Sequence, residues 1–262
     1  MIHVLDFSNA VPVPQSNQLV FDGVDPGKQI ERLREAALFT GVSSQECGEI
    51  LMRARKKTFI RNEVLFFQGE IVDRWILIQT GRVKLTQLSS HGSEVIVWIN
   101  SSGDAMGVQA DRPGGRHACS ARAVERCETL VWDFRSVQEV LVRCPQVQAN
   151  ITRILSSRLL ELEERFCELA SESVADRLAF LVRRLCKSLG RQNGHGTELR
   201  LRRQELAQMA GTTLCTVSRI LSRWADLGLL IPSRDGVTVR DPNHLVANLP
   251  RQERPAQFCR PA

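Results

Sequence analysis

No stretch of this chain holds the ~20 consecutive apolar residues that a membrane-spanning helix needs. Its first residues, "MIHVLDFSNAVPVPQ", lack the basic start and continuous apolar core of a secretory leader, so a cytoplasmic protein with no membrane partner is expected. None of the eight cysteines forms a CxxC pair, and the chain is no small secreted scaffold. The thiols are therefore expected to be mostly reduced and buried. Residues 1–46 hold no cysteine at all. There is no phosphate loop, no Ser/His/Asp arrangement and no metal-ligand cluster, so no catalytic and no metal residue is assigned, and an enzyme is not expected.

What is present fits a globular chain of two modest domains: 262 residues, 43% of them apolar. Charge is unevenly spread. Residues 171–262 carry 15 Arg or Lys against eight Asp or Glu, a net +7, while the whole chain is +6, which leaves about −1 on the rest. A basic C-terminal third on a near-neutral body is the electrostatic footprint of a nucleic-acid-binding domain.

Residues 1–27, with "VPVPQ" and Pro26, show little periodicity and read as a flexible arm. Residues 28–56 read as helical from "ERLREAALF" and "SSQECGEILMRA", with Ser43 or Ser44 as a helix start. From 58 to 135 short strand-like runs ("TFIRNEVLFF", "RWILIQTGRVKLTQL", "EVIVWI", "CETLVWDF") alternate with turn residues, which predicts an antiparallel barrel or jelly roll within a domain spanning 28–144. A long helix over 145–170 begins near Pro145. Its Leu155, Leu159, Leu162, Phe166 and Leu169 repeat at 4, 3, 4, 3, a heptad seam that predicts a dimer interface; the alternative is a helix packed on its own barrel.

The segment 171–246 opens with a helix capped by Ser171 or Ser173, with Val174, Leu178, Leu181 and Leu185 on one face. A loop over 190–197 and a strand over 199–201 follow. Then "RRQELAQMAGTTLCTVSRILSRW" (202–224) reads as two short helices bent around a glycine. Asp235-Gly236 signals a two-residue hairpin between short strands. Together these predict a winged helix-turn-helix, with 247–262 left as a tail. The predicted fold class is α+β: a jelly-roll β-barrel, a long dimerisation helix and a C-terminal winged helix.

This order of parts resembles the Crp/Fnr family of bacterial transcription regulators over roughly residues 30–245. The specific pieces are "RRQELAQMAGTTLCTVSRIL", "FFQGE" (66–70), "ILIQTGRVKL" (76–85) and "GDAMG" (103–107), the last matching the family's Gly-Asp-x-x-Gly signature. The resemblance implies a homodimer on palindromic double-stranded DNA, with RNA polymerase as a further partner.

A helix entering the major groove offers the side chains of its N-terminal half to base edges. Thr213 is a good N-cap, and positions 214, 215 and 218 to 219 share one face. Arg219 suits a forked contact to guanine O6 and N7, worth about 1–3 kcal/mol of discrimination. The resemblance places Arg219 at the guanine-reading position and Ser218 at one used by the Fnr branch. It matches Arg202, Arg203, Gln204, Thr213 and Thr216 to phosphate-holding positions. Cys215 departs from the family's glutamate; a thiol is a poor acceptor, so discrimination there should weaken or shift to a thymine methyl touched by Leu214 or Cys215. The simpler reading of Cys215 is a small apolar side chain that fits; the sharper one is a thiol-redox switch.

In cyclic-nucleotide-binding relatives a glutamate follows the Gly-Asp-x-x-Gly signature and an Arg-Ser pair holds the phosphate. Here Val108 stands in place of the glutamate, after Gly103, Met106 and Gly107, and His117-Ala118 stand in place of Arg-Ser. Arg116 is one residue off register and would reach the pocket only through a bulge. Cyclic AMP is therefore not the expected effector, and an Fnr-type iron–sulfur cluster lacks its N-terminal thiolates. Haem stays open through His117 and Cys119, two apart on one face, as does another small molecule. The alternative to a DNA-binding regulator is a ligand-, haem- or thiol-sensing module with weak or non-standard DNA readout.

Overall fold

The computed structural model describes residues 25–89, 92–108 and 114–247; most of the arm, 1–24, and all of the tail beyond 247 lie outside the described residues. The first helix, α1 (Pro26–Glu35), begins inside the stretch read as an arm. Asp25 caps it by accepting from the Gly27 N–H at 3.0 Å, and Pro26 supplies a preset φ for the first turn. A 3-10 turn (Ala37–Phe39) leads to α2 (Ser44–Met52), started by a reciprocal capping box between Ser43 and Glu46.

Eight strands follow: β1 (Arg55–Phe59), β2 (Val64–Phe66), β3 (Arg74–Thr80), β4 (Val83–Leu88), β5 (Glu94–Asn100), β6 (Ala105–Met106), β7 (Ser120–Ala123) and β8 (Cys127–Asp133). They form two antiparallel four-stranded sheets ordered β1-β8-β3-β6 and β2-β7-β4-β5, the jelly roll expected. The uninterrupted apolar run of β3 has a physical reason. Ile76 and Ile78 point into the barrel, while Trp75 and Leu77 point out beneath the helices, so the strand is buried on both faces. The Trp132 indole N–H on β8 donates to the Ile50 carbonyl at 2.8 Å and ties α2 to that outer face.

α3 (Phe134–Arg143), capped by Asp133, occupies the end of the stretch read as barrel. α4 (Pro145–Ser171) is the long helix, and only its first turns are buried, at Val147, Asn150 and Ile151. The fully buried Asn150 amide donates to the carbonyls of Leu38 (3.0 Å) and Thr40 (2.8 Å), fixing the helix against the 3-10 turn. Further along, the five seam residues stay uncovered, and Phe166 is 70% exposed. The seam does not pack on its own barrel.

The C-terminal domain has its own core around Leu178, Leu199, Val217 and Leu221. α5 (Val174–Leu189) is capped by Ser173, not Ser171. The loop expected over 190–197 is instead a strand, β9 (Arg191–Asn193), and a turn into β10 (Gly196–Leu199), so the strand expected at 199–201 starts earlier and ends at 199. α6 (Arg203–Ala210) and α7 (Leu214–Asp226) are the two expected helices. β11 (Leu230–Pro232) and β12 (Val237–Val239) complete the sheet β11-β12-β10-β9, and α8 (Pro242–Ala247) closes the domain.

The two-residue hairpin at Asp235-Gly236 is corrected. Four residues separate β11 from β12, and the Ser233 N–H bonds to the Gly236 carbonyl at 3.0 Å. Gly236 is needed for space and not for a left-handed turn, because a Cβ there would meet the Leu199 carbonyl of β10 at 2.1 Å.

Candidate nucleic-acid interface and sensor barrel

The bend between α6 and α7 rests on Gly211, whose φ of 62° is left-handed and costs glycine nothing. The Glu205 carboxylate accepts from the Arg202 N–H at 2.8 Å and starts α6. Thr213 Oγ1 accepts from the Thr216 N–H at 3.1 Å and starts α7, as its N-cap position requires. The inner face of α7 buries Val217, Leu221 and Trp224. With that face fixed, helical spacing leaves Leu214, Cys215 and Arg219 exposed and Ser218 half-buried beside them. The Thr213 and Thr216 hydroxyls bond to each other at 2.9 Å, so each enters any phosphate contact already oriented by its neighbour.

Arg202 and Gln204, read as phosphate holders, line a groove that the barrel shares through Lys84, Glu94 and Glu125; Arg203 is half-buried. Sequence reasoning missed this junction between the helix-turn-helix and the barrel. Gln208 donates to Glu94 at 3.0 Å, and Lys84 reaches the same carboxylate at 3.3 Å. Arg82 makes a forked contact with Glu125 (2.9 and 3.2 Å) and also donates to the Arg200 carbonyl at 2.7 Å. That fork holds the Glu125 carboxyl below the usual range. Charged residues on a strand give no local hint that their partners lie over a hundred positions away.

In the barrel the eight residues read as an effector pocket do not converge. Met106, His117 and Cys119 face the interior core. Val108 is buried in the other cluster, between barrel and helices. Arg116 and Ala118 are exposed on the outer side, and Arg116 donates to the Gly69 carbonyl at 2.6 Å, so no bulge turns it inward. Gly103 lies in the turn at φ 89°, near Ala36. Gly107 has φ 84° and passes so close to β3 that a Cβ would meet the Arg74 carbonyl at 2.4 Å.

The His117 ring stacks flat on Phe66 at 3.6 Å between centroids and is 3% exposed. Its Nδ1 has no hydrogen-bond partner among the described residues, and burial lowers its pKa. In this arrangement the candidate haem ligand is a packed wall of the core. Cys119 also lies against that core, and burial pushes its thiol up.

Comparison with known proteins agrees with this architecture. Residues 56–144 match the model of the cyclic nucleotide-binding domain, and residues 172–247 match the Crp-like helix-turn-helix domain. The chain is 27% identical over 209 residues to the cyclic AMP receptor protein of Thermus thermophilus, covering 80% of this chain and 94% of that one. It is also 27% identical to the anaerobic regulatory protein of Haemophilus influenzae, over 73% of this chain and 75% of that relative. Among solved structures, the c-di-GMP responsive global regulator CLP of Xanthomonas campestris shares the fold with a TM-score of 0.66 at 21% identity, over 76% of this chain and all of that one. FixK2 from Bradyrhizobium japonicum does so at 0.65 and 21%, over 73% and 95%. No helix among the described residues is long and apolar enough to cross a membrane. A nucleotide-binding-type barrel followed by a Crp-like helix-turn-helix, in one chain and in that order, places the protein in the Crp/Fnr family of transcription regulators.

Proposed function

We propose that the protein is a homodimer that binds a palindromic operator through its two winged helices and responds to an effector other than cyclic AMP or an iron–sulfur cluster. The observation that carries the reading is α7: a helix anchored by its buried face, with Leu214, Cys215 and Arg219 exposed along its N-terminal half. Arg219 reads a guanine, and Arg202, Arg203, Gln204, Thr213 and Thr216 hold phosphates. The seam Leu155–Leu159–Leu162–Phe166–Leu169 joins the two copies and sets the half-sites about one helical turn apart. RNA polymerase is the further partner at the promoter.

Against cyclic AMP stand the buried, uncharged Val108, the stacked His117 and the outward Arg116, which together offer no inward guanidinium fork for a phosphodiester. Fluorescence anisotropy with a selected palindrome tests the DNA reading. Affinity should fall steeply with salt, and Arg219→Ala should cost about 1–3 kcal/mol, lost only when the guanine is present. A variant that binds guanine and substituted sites with wild-type preference would refute it.

A further inference from the structure

Between the barrel, α4 and α5 lies an open cleft of about 1050 Å3. Arg153, Ser157, Glu161 and Glu164 line it from α4. At ~100° per residue these positions lie about 160–240° around the helix from Leu155. Arg158 and Arg165, which line the same cleft, lie only about 60° and 80° from Leu155 on the other side, so the cleft runs from beside the seam to the far side of α4.

Its chemistry is amphipathic with cations in excess: Arg153, Arg158, Arg165, Arg184 and Lys187 line it against Asp104, Glu161 and Glu164. The Trp98 ring is flanked by Arg158 at 5.7 Å and Arg165 at 5.5 Å. Neither arginine forms an ion pair among the described residues; Arg165 donates to the Val97 carbonyl at 2.6 Å and Arg158 only to Asn100 Oδ1 at 3.4 Å. From the opposite wall come Lys187 and Arg184, the latter paired with Glu168. Burial, and then the charge of Arg184, lower the Arg165 pKa, while the carboxylates of Glu161 and Glu168 act against that shift. Two buried donors of the lining residues, Arg184 Nε and Asn100 Nδ2, have no partner among the described residues, and Asn100 is 3% exposed. Unpaired buried donors beside crowded cations favour an incoming anion. Trp98, Ile154 and Met209 supply apolar surface for the rest of such a molecule.

We propose that this cleft binds one amphipathic organic anion per chain, its acidic group held by Arg158, Arg165 and Asn100 and its apolar body resting on Trp98 and Met209. The occupant touches the barrel, the long helix and the DNA-binding domain together, so its binding free energy depends on how these parts are set. The site is separate from the barrel interior and does not require a cyclic nucleotide.

The test is a titration of the full-length protein, without DNA, with the aromatic sulfonate 8-anilinonaphthalene-1-sulfonate, followed by fluorescence. One saturable site per chain is expected, with energy transfer from tryptophan that falls in Trp98→Phe. Arg158→Met with Arg165→Met should weaken binding at least about tenfold, the scale of a lost charged hydrogen bond. Lys187→Met, an exposed change that leaves the core intact, should weaken it about threefold, as expected of one screened surface charge. Arg143→Met, an exposed cation on α3, should leave it unchanged. Non-saturable binding, or a site indifferent to both Lys187→Met and the double variant, would overturn the proposal. Because no DNA is present, either result leaves the reading of α7 untouched.

Discussion

Truncating Phe166 to alanine is expected to dissociate the proposed homodimer at concentrations where the wild-type protein is expected to stay paired. In the single chain Phe166 is 70% exposed. Burying a whole phenylalanine side chain is worth about 1.5–3 kcal/mol, so pairing through the seam gains roughly 1–2 kcal/mol per copy from this residue. A two-fold dimer counts it twice. The loss of about 2–4 kcal/mol raises the dissociation constant by roughly 30- to 1000-fold. Sedimentation equilibrium over a range of concentrations reads this directly. Leu160, 61% exposed but far around the helix from the seam, is the control: Leu160→Ala should not move the constant. Equal effects of the two truncations, or none from Phe166→Ala, would refute the seam as the interface.

Three further outcomes follow from the fold. Gly107→Ala combines a φ of 84° with a Cβ 2.4 Å from the Arg74 carbonyl, so β3 must shift; urea unfolding should give a loss of at least about 2 kcal/mol, and an unchanged midpoint would contradict the close approach. Asn150→Leu keeps the volume but removes both donors to the 3-10 turn, and should cost about 1–3 kcal/mol in the same assay. His117 is buried and its folded pKa is lowered, so the unfolded chain takes up the proton first. Its contribution is complete above the unfolded value of about 6.5 and is lost as pH falls from there towards the depressed folded pKa. Unfolding measured at pH 7.5 and 5 should show a smaller drop for His117→Phe than for wild type; identical drops would show that the ring is not held neutral.

The parts legible in the sequence were those set by local periodicity and local hydrogen bonds. The Ser43 and Thr213 caps and the α6–α7 bend at Gly211 each depend on residues within a few positions of one another. The misreadings have a different origin. Gly236 looked like a turn glycine, but its constraint is the β10 backbone, which no neighbouring residue announces. β9, "RQN", is entirely exposed and pairs only along one edge, so it has no hydrophobic alternation to find. The start of α1 is hidden inside the stretch read as an arm because Pro26, a first-turn residue, stands in sequence with the prolines of "VPVPQ". For the candidate sites, exposure along α7 follows from helical spacing once Val217 and Leu221 are buried. The effector-pocket reading scattered because alternation along 116–119 could be counted, whereas the separate cluster that receives Val108 could not. The junction of Arg82, Lys84 and Glu94 with the DNA-binding domain is purely tertiary.

Whether two copies read DNA as a symmetric pair is decided by selecting binding sites from a pool of random duplexes with the full-length protein. The structure and the proposed readout predict enrichment of an inverted repeat with half-sites about one helical turn apart, each holding a guanine whose enrichment disappears with Arg219→Ala. An unsymmetrical or unenriched pool, or a repeat that Arg219→Ala reads as well as the wild-type protein, would contradict it.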